Sequence, residues 1–469
     1  MSEEKLERSL NPINVWCLAL GSIIGWGAFV MPGNLFLKTA GPLGTLIGMT
    51  VGALIMIIIA VSYGYMVQRF PVAGGGFIFA LKGFGRNHAF ICAWFLGLSY
   101  LSIVPLNATA LGLIARYMFP GLLQKGYLYT IAGWEVYLGE VIFVTLALIV
   151  FAMTSIRGGK VSGILQTIMT FALIGAVIIL TIIALLSSDT AISNLKPFFV
   201  PGIPPLRGIL SIVAIAPWAY GGFDSIPQAA EEFDFSPKKA LGIMICSIIF
   251  GALIYIAMNT VTAVIFPWND FISSDPFWAT GVAVEQLMGA VGLIILGIAL
   301  VSAILAGIIG FYMTASRLLL SMSRSKALPE WFGIIHPKYK TPANSIKFVL
   351  FMSLVTPWFG RQVLLWVVDM AAVGAAVGYF YTAASAFNLI RKEKGNALLK
   401  IFSMVGSVLS AGFIVLLLVP GMPAYLSFPS RIALIIWSVI GVIFYIRSAQ
   451  SYQTLSNKEL DKLMSNEIV

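Results

Sequence analysis

The chain has 469 residues, of which 59% are hydrophobic and 10% are charged, and its net charge is +10. Soluble domains are about 25% charged, so this composition excludes an ordinary soluble protein. Apolar runs of about 20 residues recur along the chain and indicate a polytopic helical membrane protein. The positive charge is then assigned to cytoplasmic loops rather than to nucleic-acid binding. The polar start, of mixed charge, shows no cleavable signal peptide.

The apolar runs predict twelve spans with both chain ends on the cytoplasmic side. Twenty-two of the 29 Lys and Arg residues then fall on that side, which is the asymmetry that orients membrane proteins. The predicted spans are 14–37, 42–68, 89–118, 136–154, 161–187, 208–229, 240–266, 285–322, 345–359, 362–390, 400–420 and 425–447.

The first span contains the segment 21–33, GSIIGWGAFVMPG, which holds four glycines and a proline. Inside a helix, glycine costs about 1 kcal/mol and proline about 3 kcal/mol relative to alanine. A helix interrupted there leaves backbone groups unpaired, which a membrane tolerates only where the break is buried in protein or lines a cavity. We therefore expect a broken helix with a ligand site at its break.

The sixth span is interrupted in the same way. Pro217, Gly221, Gly222 and Pro227 break it, and Asp224 lies at its mid-depth. Two interrupted spans five apart indicate an inverted repeat, in which spans 1–5 are mirrored by spans 6–10. The alternative is two unrelated kinked helices, because glycine and proline are common in membrane spans. The predicted units are a cytoplasmic tail (1–13), a first repeat (14–200), a second repeat (201–395), spans 11 and 12 (396–448) and a cytoplasmic tail (449–469).

Four motifs, in this order, resemble the amino acid–polyamine–organocation (APC) superfamily of permeases. They are the glycine-rich pattern of span 1, PVAGGGF at 71–77, FDSIPQAAEE at 223–232 followed by SPKK at 236–239, and the residues Ser316, Arg317, Arg324, Leu328, Pro329, Thr341 and Pro342 after span 8. The resemblance implies an all-α, five-plus-five inverted-repeat (LeuT-like) fold with broken helices 1 and 6. It also implies an amino acid permease that works by alternating access, as an exchanger or a proton-coupled symporter.

The broken helix ends are the predicted substrate site. Such ends carry partial charges and unpaired backbone groups, and glycine lets a ligand approach the backbone closely. A substrate carboxylate is expected at amides of the first break and an ammonium at carbonyls of the second. The predicted substrate-binding residues are Ser22, Ile23, Gly25, Trp26, Gly27, Ala216, Trp218, Ala219, Gly221 and Phe311.

Three side chains receive particular roles. The resemblance implies that Trp218 closes over the substrate as a gate and that Phe311 completes an aromatic wall. The alternatives are a lipid-facing or packing side chain for Trp218 and packing for Phe311. An ionisable group inside a membrane is costly, so Asp224 is a candidate proton carrier or gate link. The alternative is a structural carboxylate that holds the unwound segment. For Glu231 and Glu232, nearer the cytoplasmic end, a solvated or loop-pairing role is expected.

Two departures from the family pattern matter. Some proton-coupled members carry a Lys in span 5 that stands in for a sodium ion, but the segment 166–174 has none. Exchange, uniport or coupling through Asp224 is therefore favoured, and a sodium site that includes Ser302 stays open. Trp26 stands where many members have a small residue. A permease for a small amine or polyamine, resembling the ethanolamine branch and using Trp26, Trp218 and Asp224, is therefore an alternative, unless Trp26 points away and packs against spans 3 or 10.

No cofactor and no metal site is expected, apart from possible coupling to H⁺ or Na⁺. The only histidines are His88 and His336, and Cys17, Cys92 and Cys246 lie within apolar runs. No nucleophile–base pair or phosphate loop indicates an enzyme. The expected partners are a small-molecule substrate and the lipid bilayer of the cell membrane, without nucleic acid, for a monomer or a homodimer. A non-transporting nutrient receptor is a further alternative, which the short tails disfavour.

Overall fold

The computed structural model describes residues 6–131, 133–187 and 190–453, with the backbone alone at 360–365 and 448–453. Within these ranges the chain is mostly helical, and nine helical segments are long and apolar enough to cross a membrane. One of the nine, Pro12–Arg69, contains two predicted spans. The fold is that of a polytopic membrane protein, while the count of twelve stays a prediction. The predicted tails span 1–13 and 449–469. Their parts at 1–5 and 454–469 lie outside the residues that the structure describes.

The first interrupted segment opens the helical fold. In chain order the helices of the first half are α1 (Pro12–Ile24), α2 (Gly27–Met31), α3 (Leu37–Arg69), α4 (Gly76–Phe84), α5 (Arg86–Met118), α6 (Leu138–Ile156) and α7 (Gly159–Leu186). Asn11 caps α1 by accepting a hydrogen bond from the N–H of Asn14, and Pro12 occupies the first turn. A π-helical turn at Pro32–Phe36 joins α2 to α3, and α3 bends at Gly41, where φ is +70°. Gly41 thus separates predicted spans 1 and 2.

The second interrupted segment opens the second half of the chain. Its helices are α8 (Pro205–Ala214), α9 (Ala216–Ala219), α10 (Ser225–Gln228), α11 (Ala240–Val264), α12 (Trp268–Ser273), α13 (Ala279–Arg324), α14 (Ala343–Ser353), α15 (Gly360–Lys392), α16 (Ala397–Leu418) and α17 (Phe428–Gln453). Short 3₁₀ turns lie at Ile192–Leu195, Ala230–Glu232, Pro237–Lys239, Glu330–Gly333 and Thr356–Trp358. Most predicted spans match these bounds closely, but α13 is longer than 285–322 and α14 is shorter than 345–359.

One part of the fold is not helical. β1 (Tyr127–Ile131) pairs antiparallel with β2 (Trp134–Tyr137), so the expectation of an all-α chain is wrong here. Aromatic and β-branched residues flank Gly133, whose φ of +79° suits a tight turn, and together they favour a hairpin. The helix predicted to start at 136 therefore begins at Leu138. Helix α4, between predicted spans 2 and 3, is a second element that was not predicted.

The long helices pack around the two interrupted segments. α1 packs against α7, α11 and α13, whereas α8 packs against α3 and α9 packs against α3 and α15. The further contacts of α3 with α11, of α5 with α13 and α15, of α6 with α14 and of α7 with α13 complete the core. Residues at both breaks, such as Ile23, Trp26 and Trp218, belong to this buried core. The fold thus places both breaks at the centre of the molecule.

Candidate functional site

The two breaks touch each other. α1 ends at Ile24 because Gly25 has a φ of +46°, a conformation that residues with a Cβ rarely adopt. In the sixth span the backbone turns at Gly222, where φ is +132°. A Cβ at Gly222 would lie 2.7 Å from the backbone nitrogen of Ile23 and 2.7 Å from the Cβ of Ser22. The close crossing of the two breaks therefore depends on glycine at position 222.

A cavity lies beside this crossing. Its lining residues are Ser22, Ile23, Ile24, Gly25, Trp26, Gly27, Ile103, Leu106, Asn107, Trp218, Gly221 and Tyr255. The volume is about 20 Å³, which is room for about one water molecule. All of these lining residues are uncharged. The cavity is therefore too small for an amino acid in this conformation, and an amino acid would fit only if part of the lining moved.

Two tryptophans face each other in the lining of the cavity. The rings of Trp26 and Trp218 are 5.9 Å apart between centroids and inclined by 59°. A Cβ at Gly27 would lie 2.7 Å from Cη2 of Trp218, so the absence of a side chain at 27 provides the seat for this ring. The side chain of Trp26 thus faces Trp218 across the site instead of pointing away from it.

Tyr255 of α11 caps the broken end of α1. Its hydroxyl donates to the carbonyl of Ile23 at 3.2 Å and lies 3.5 Å from the carbonyl of Ile24. The last carbonyls of a helix have no intrahelical N–H partner, so a side-chain donor stabilises them. Tyr255 therefore ties the first break to the span that follows the second break.

Two polar side chains of the lining have unused hydrogen-bonding capacity. Asn107 of α5 donates from Nδ2 to the carbonyl of Ile103 at 3.0 Å, but its buried Oδ1 has no partner among the described residues. The hydroxyl of Ser22 also lacks a partner in that part of the chain. It lies against α13, where a Cβ at Gly310 would be 2.1 Å away. A buried acceptor without a donor is costly, so both groups are available to a ligand.

Asp224 holds the unwound backbone of the second break. Its Oδ1 accepts from the N–H of Gly222 at 2.9 Å, and its Oδ2 accepts from the hydroxyl of Tyr100 at 2.6 Å. The ring of Phe311 packs 6.1 Å from that of Tyr100. Phe311 therefore belongs with the carboxylate and its tyrosine partner, outside the cavity lining. Within the described ranges, Asp224 forms no ion pair.

Beyond α10, two adjacent glutamates bind two arginines of α13. Glu232 accepts from Nε and Nη2 of Arg317 at 2.8 and 3.0 Å, and the two side chains are only 3% and 1% exposed. Glu231 pairs with Arg324 at 2.7 Å. Arg317 and Arg324 are two helical turns apart and so lie on one face of α13. The pairs clamp the end of the sixth span onto the eighth.

The N-terminal segment Leu6–Leu10 joins the same clamp. The N–H of Leu6 donates to a carboxylate oxygen of Glu231 at 3.0 Å, and the N–H groups of Ser9 and Leu10 donate to the carbonyl of Glu232 at 3.1 Å. Burial opposes ionisation of Glu231, but Arg324 and the backbone donors outweigh it and hold its pKa below the usual value. We call residues 6–10 the strap.

The second half of the broken first span is held by Trp278. Trp278, which precedes α13, is 1% exposed and donates from Nε1 to the carbonyl of Phe29 at 2.8 Å. Its ring meets that of Tyr117 edge-on at 5.0 Å. Lys38 pairs with Asp275 at 2.5 Å on the surface nearby. The second half of the broken first span is thereby fixed to the start of the eighth.

Span 5 binds the first half-helix through neutral side chains. Gln166 and Thr170 of α7 donate to the carbonyl of Cys17 at 3.3 and 3.2 Å, and Asn14 donates to the hydroxyl of Thr167 at 3.0 Å. Gln166, Thr167 and Thr170 all lie in the segment 166–174 of span 5, which contains no lysine. In the part of the chain that the structure describes, no group of three His, Cys, Asp or Glu side chains could hold a metal ion.

The sequence model of the family described as "Amino acid permease" matches residues 10–454, nearly the whole chain. The chain belongs to the amino acid permease family. The members of this family are transporters, and the permease is accordingly a multi-pass membrane protein.

Individual relatives cover most of the permease. It is 24% identical to a methylthioribose transporter of Bacillus subtilis (strain 168), over 97% of its own length and 96% of that protein. It is 26% identical to the branched-chain amino acid permease BcaP of the same organism, with the same coverage. It is also 26% identical to cationic amino acid transporter 4 of Mus musculus, over 84% of its own length and 61% of that protein.

The structure gathers most, but not all, of the predicted site residues of the permease. Those that line the cavity are Ser22, Ile23, Gly25, Trp26, Gly27, Trp218 and Gly221. Ala216, Ala219 and Phe311 lie outside the lining. Ala216 instead faces α3, where a Cβ at Gly52 would be 3.0 Å from its own Cβ. The short helix α9 therefore turns Trp218 toward the site and Ala216 away from it.

Five lining residues of the permease were not predicted, and one of them, Ile24, ends α1 at the first break. Ile103, Leu106 and Asn107 lie on α5, and Tyr255 lies on α11. The glycine and proline pattern that marked the two breaks does not mark these positions, because α5 stays helical through Pro105 and α11 through Gly251. For Asn107 the available signal was a carboxamide within an apolar span, because polar groups there usually bond across helices or serve a ligand.

Proposed function

We propose that the permease is a secondary transporter that carries a small amino acid across the cytoplasmic membrane by alternating access. The observation that carries the proposal is the small cavity at the crossing of two broken helices. We assign the closure of one side to the Glu232–Arg317 pair and the strap, and the closure of the other side to the bond of Trp278 with Phe29. Such a site opens to one side at a time when one closure is released.

Reciprocal packing supports a five-plus-five repeat with twelve spans and cytoplasmic ends. Each span is counted as predicted, so that α1–α2 form span 1 and α8–α10 form span 6. Span 1 packs on span 7 as span 6 packs on span 2, and span 3 packs on span 10 as span 8 packs on span 5. Spans 2, 3 and 4 also pack on spans 7, 8 and 9. Each of these contacts recurs when spans 1–5 and spans 6–10 are interchanged. Two unrelated kinked helices would not require this symmetry.

The backbone of the two breaks would bind the part common to all amino acids. The N–H groups at the start of α2, around Trp26 and Gly27, would take the carboxylate, because a helix N-terminus carries unpaired donors and partial positive charge. Carbonyls of the second break, between Ala216 and Gly221, would take the ammonium. The contact of Trp218 with Gly27 supports a gate role for this indole, whose movement would enlarge the cavity.

Coupling is assigned to exchange or to proton binding at Asp224. The neutral contacts of Gln166 and Thr170 with α1 provide no lysine to replace a sodium ion. The bonds of Asp224 to Gly222 and Tyr100 link a buried carboxylate to the second break. Protonation would weaken the bond from Gly222 and so loosen that break. A sodium-dependent mode remains an outcome of the test below.

A second candidate substrate is a small amine or polyamine. The observation in its favour is that Trp26 and Trp218 face each other in the lining, because an ammonium over an indole gains about 0.5–2 kcal/mol. The relatives carry names of amino acid transporters and of a methylthioribose transporter, so the likeness alone leaves the substrate open. A non-transporting receptor stays a third reading, and a monomer and a homodimer are both compatible with the fold.

The test is a thermal-shift screen of the purified permease against the amino acids and simple amines, with and without sodium. A bound ligand stabilises the native state by mass action. Stabilisation by at least one amino acid supports the proposal, and stabilisation by amines without their parent amino acids replaces it with the second candidate. Gly25→Leu and Gly27→Leu should abolish the shift, and full retention of the shift in folded variants would refute the assigned site.

A further inference from the structure

Asn107 sits in a slot formed by glycines of two other helices. A Cβ at Gly25, in the first break, would lie 2.9 Å from Oδ1 of Asn107, and a Cβ at Gly307 of α13 would also lie 2.9 Å from it. The carboxamide is 1% exposed and lines the cavity. Side chains at 25 and 307 would crowd this oxygen, so the two glycines leave room for an amide at the edge of the substrate site.

The orientation of the amide follows from its one partner. Nδ2 is 3.0 Å from the carbonyl of Ile103, and because a carbonyl only accepts, the NH₂ group of Asn107 must face it. Oδ1 therefore lies between Gly25 and Gly307, beside the cavity that Asn107 lines. Among the described residues nothing donates to this oxygen. A buried acceptor in this state lowers stability until a ligand or a water supplies a donor.

We propose that Oδ1 of Asn107 determines specificity by accepting a hydrogen bond from the substrate side chain. The favoured substrates are then small, uncharged amino acids with a hydroxyl or amide donor. This inference rests on the proposed function, because it assigns a substrate class to the same cavity. The two breaks supply backbone groups for the carboxylate and ammonium that all amino acids share. A side chain of the unbroken helix α5 is left to recognise what differs among them.

The other lining residues narrow the class further. Since none of them is charged, a lysine-like or glutamate-like side chain would be buried without an ionic partner, which is unfavourable. Ile103 and Leu106 flank Asn107 on the same helix and offer apolar contacts. A side chain that combines a small apolar part with one donor, as in threonine, fits both features.

The test compares ligands that differ by a single donor. L-threonine and L-valine have nearly the same volume, but only threonine has a hydroxyl. Their Kd values for the purified full-length protein are measured by isothermal titration calorimetry. We expect threonine to bind about tenfold more tightly, as one hydrogen bond to a buried acceptor predicts. Asn107→Leu should reduce the ratio of the two Kd values to about 1.

A matched control is available in α11. Asn259 is 3% exposed and its Oδ1 also lacks a partner in the described chain, but it is not part of the cavity lining. Asn259→Leu should leave the threonine-to-valine ratio unchanged even if it lowers thermal stability. The ratio does not depend on how much protein is folded, so a merely structural role of Asn107 would not alter it.

The outcomes separate this inference from the proposed function. Equal Kd values for threonine and valine in the unmodified protein overturn the role of Asn107 while amino acid binding stands, and this comparison needs no variant. A ratio that survives Asn107→Leu also overturns it. If neither threonine, valine nor any other amino acid binds, the proposed function itself fails, and this inference fails with it.

Discussion

Removal of the Glu232 carboxylate should release the closure between the sixth and eighth spans. Glu232 and Arg317 form two hydrogen bonds, at 2.8 and 3.0 Å, and both side chains are almost fully buried. Loss of one member of a buried ion pair costs about 3–5 kcal/mol, because the remaining charge stays buried without its partner. In Glu232→Gln, Arg317 would keep a bond from Nη1 to Ser316 at 3.0 Å. We therefore take the lower end, about 3 kcal/mol.

In the proposed mechanism this loss falls on the closed conformation, because Arg317 would become hydrated once the closure opened. A change of about 3 kcal/mol raises the ratio of open to closed molecules by about 100-fold. The strap should report it, because the N–H groups of Leu6, Ser9 and Leu10 donate to Glu231 and Glu232, and we expect opening to break these bonds. Hydrogen exchange of a peptide that contains the strap, measured by mass spectrometry, should accelerate by a comparable factor.

A surface pair provides the control. Glu330 pairs with Lys326 but is 82% exposed, so Glu330→Gln should leave exchange of the strap unchanged. The double variant Glu232→Leu with Arg317→Met should restore slow exchange, because apolar replacement of both members of a buried pair is often neutral. Unchanged exchange in Glu232→Gln would refute the reasoning. A double variant as fast as the single one would show that the charge is not the cause.

Two further predictions concern the gate and the strap. Gly27→Ala places a Cβ 2.7 Å from Cη2 of Trp218 and 2.9 Å from the hydroxyl of Tyr255. This crowding should lower the free energy of unfolding in denaturant by about 1–3 kcal/mol and shift the tryptophan fluorescence. An unperturbed spectrum would contradict the contact of Trp218 with Gly27. Glu231 has a folded-state pKa below its usual 4.5, so its contribution to stability is complete above pH 4.5 and is lost as the pH falls through the folded-state pKa. Thermal unfolding should therefore depend less on pH in this acid range in Glu231→Gln than in the unmodified protein, and identical pH profiles would contradict the assignment.

Hydropathy and the Gly/Pro interruptions predicted the helical framework and the position of both breaks. The helix ends at Ile24 and the turn at Gly222 lie within the segments that the interruptions marked. This works because apolar run length and backbone strain are local properties of the chain. The hairpin of β1 and β2 was not predicted, because it lies next to an apolar run that indicated a helix from residue 136.

The composition of the site was less predictable. Seven of the ten predicted binding residues line the cavity, while Phe311 lies with Tyr100 and Ala216 faces α3. Asn107 and Tyr255 were missed because the direction in which a residue of an unbroken helix faces depends on how the helices pack. The partner of Glu232 is a second example, since Arg317 lies 85 positions further along the chain.

Counterflow into proteoliposomes tests the central claim most directly. The labelled ligand is the amino acid with the largest thermal shift, and the protein is the unmodified chain or one of two Gly→Leu variants. Gly25→Leu places a side chain at a φ of +46° and 2.9 Å from Oδ1 of Asn107, whereas Gly412 of α16 has no atom within 4 Å of its Cβ position. The account predicts uptake by the unmodified protein and Gly412→Leu and none by folded Gly25→Leu. Uptake by Gly25→Leu at the unmodified rate would contradict a transport site at the crossing of the two breaks.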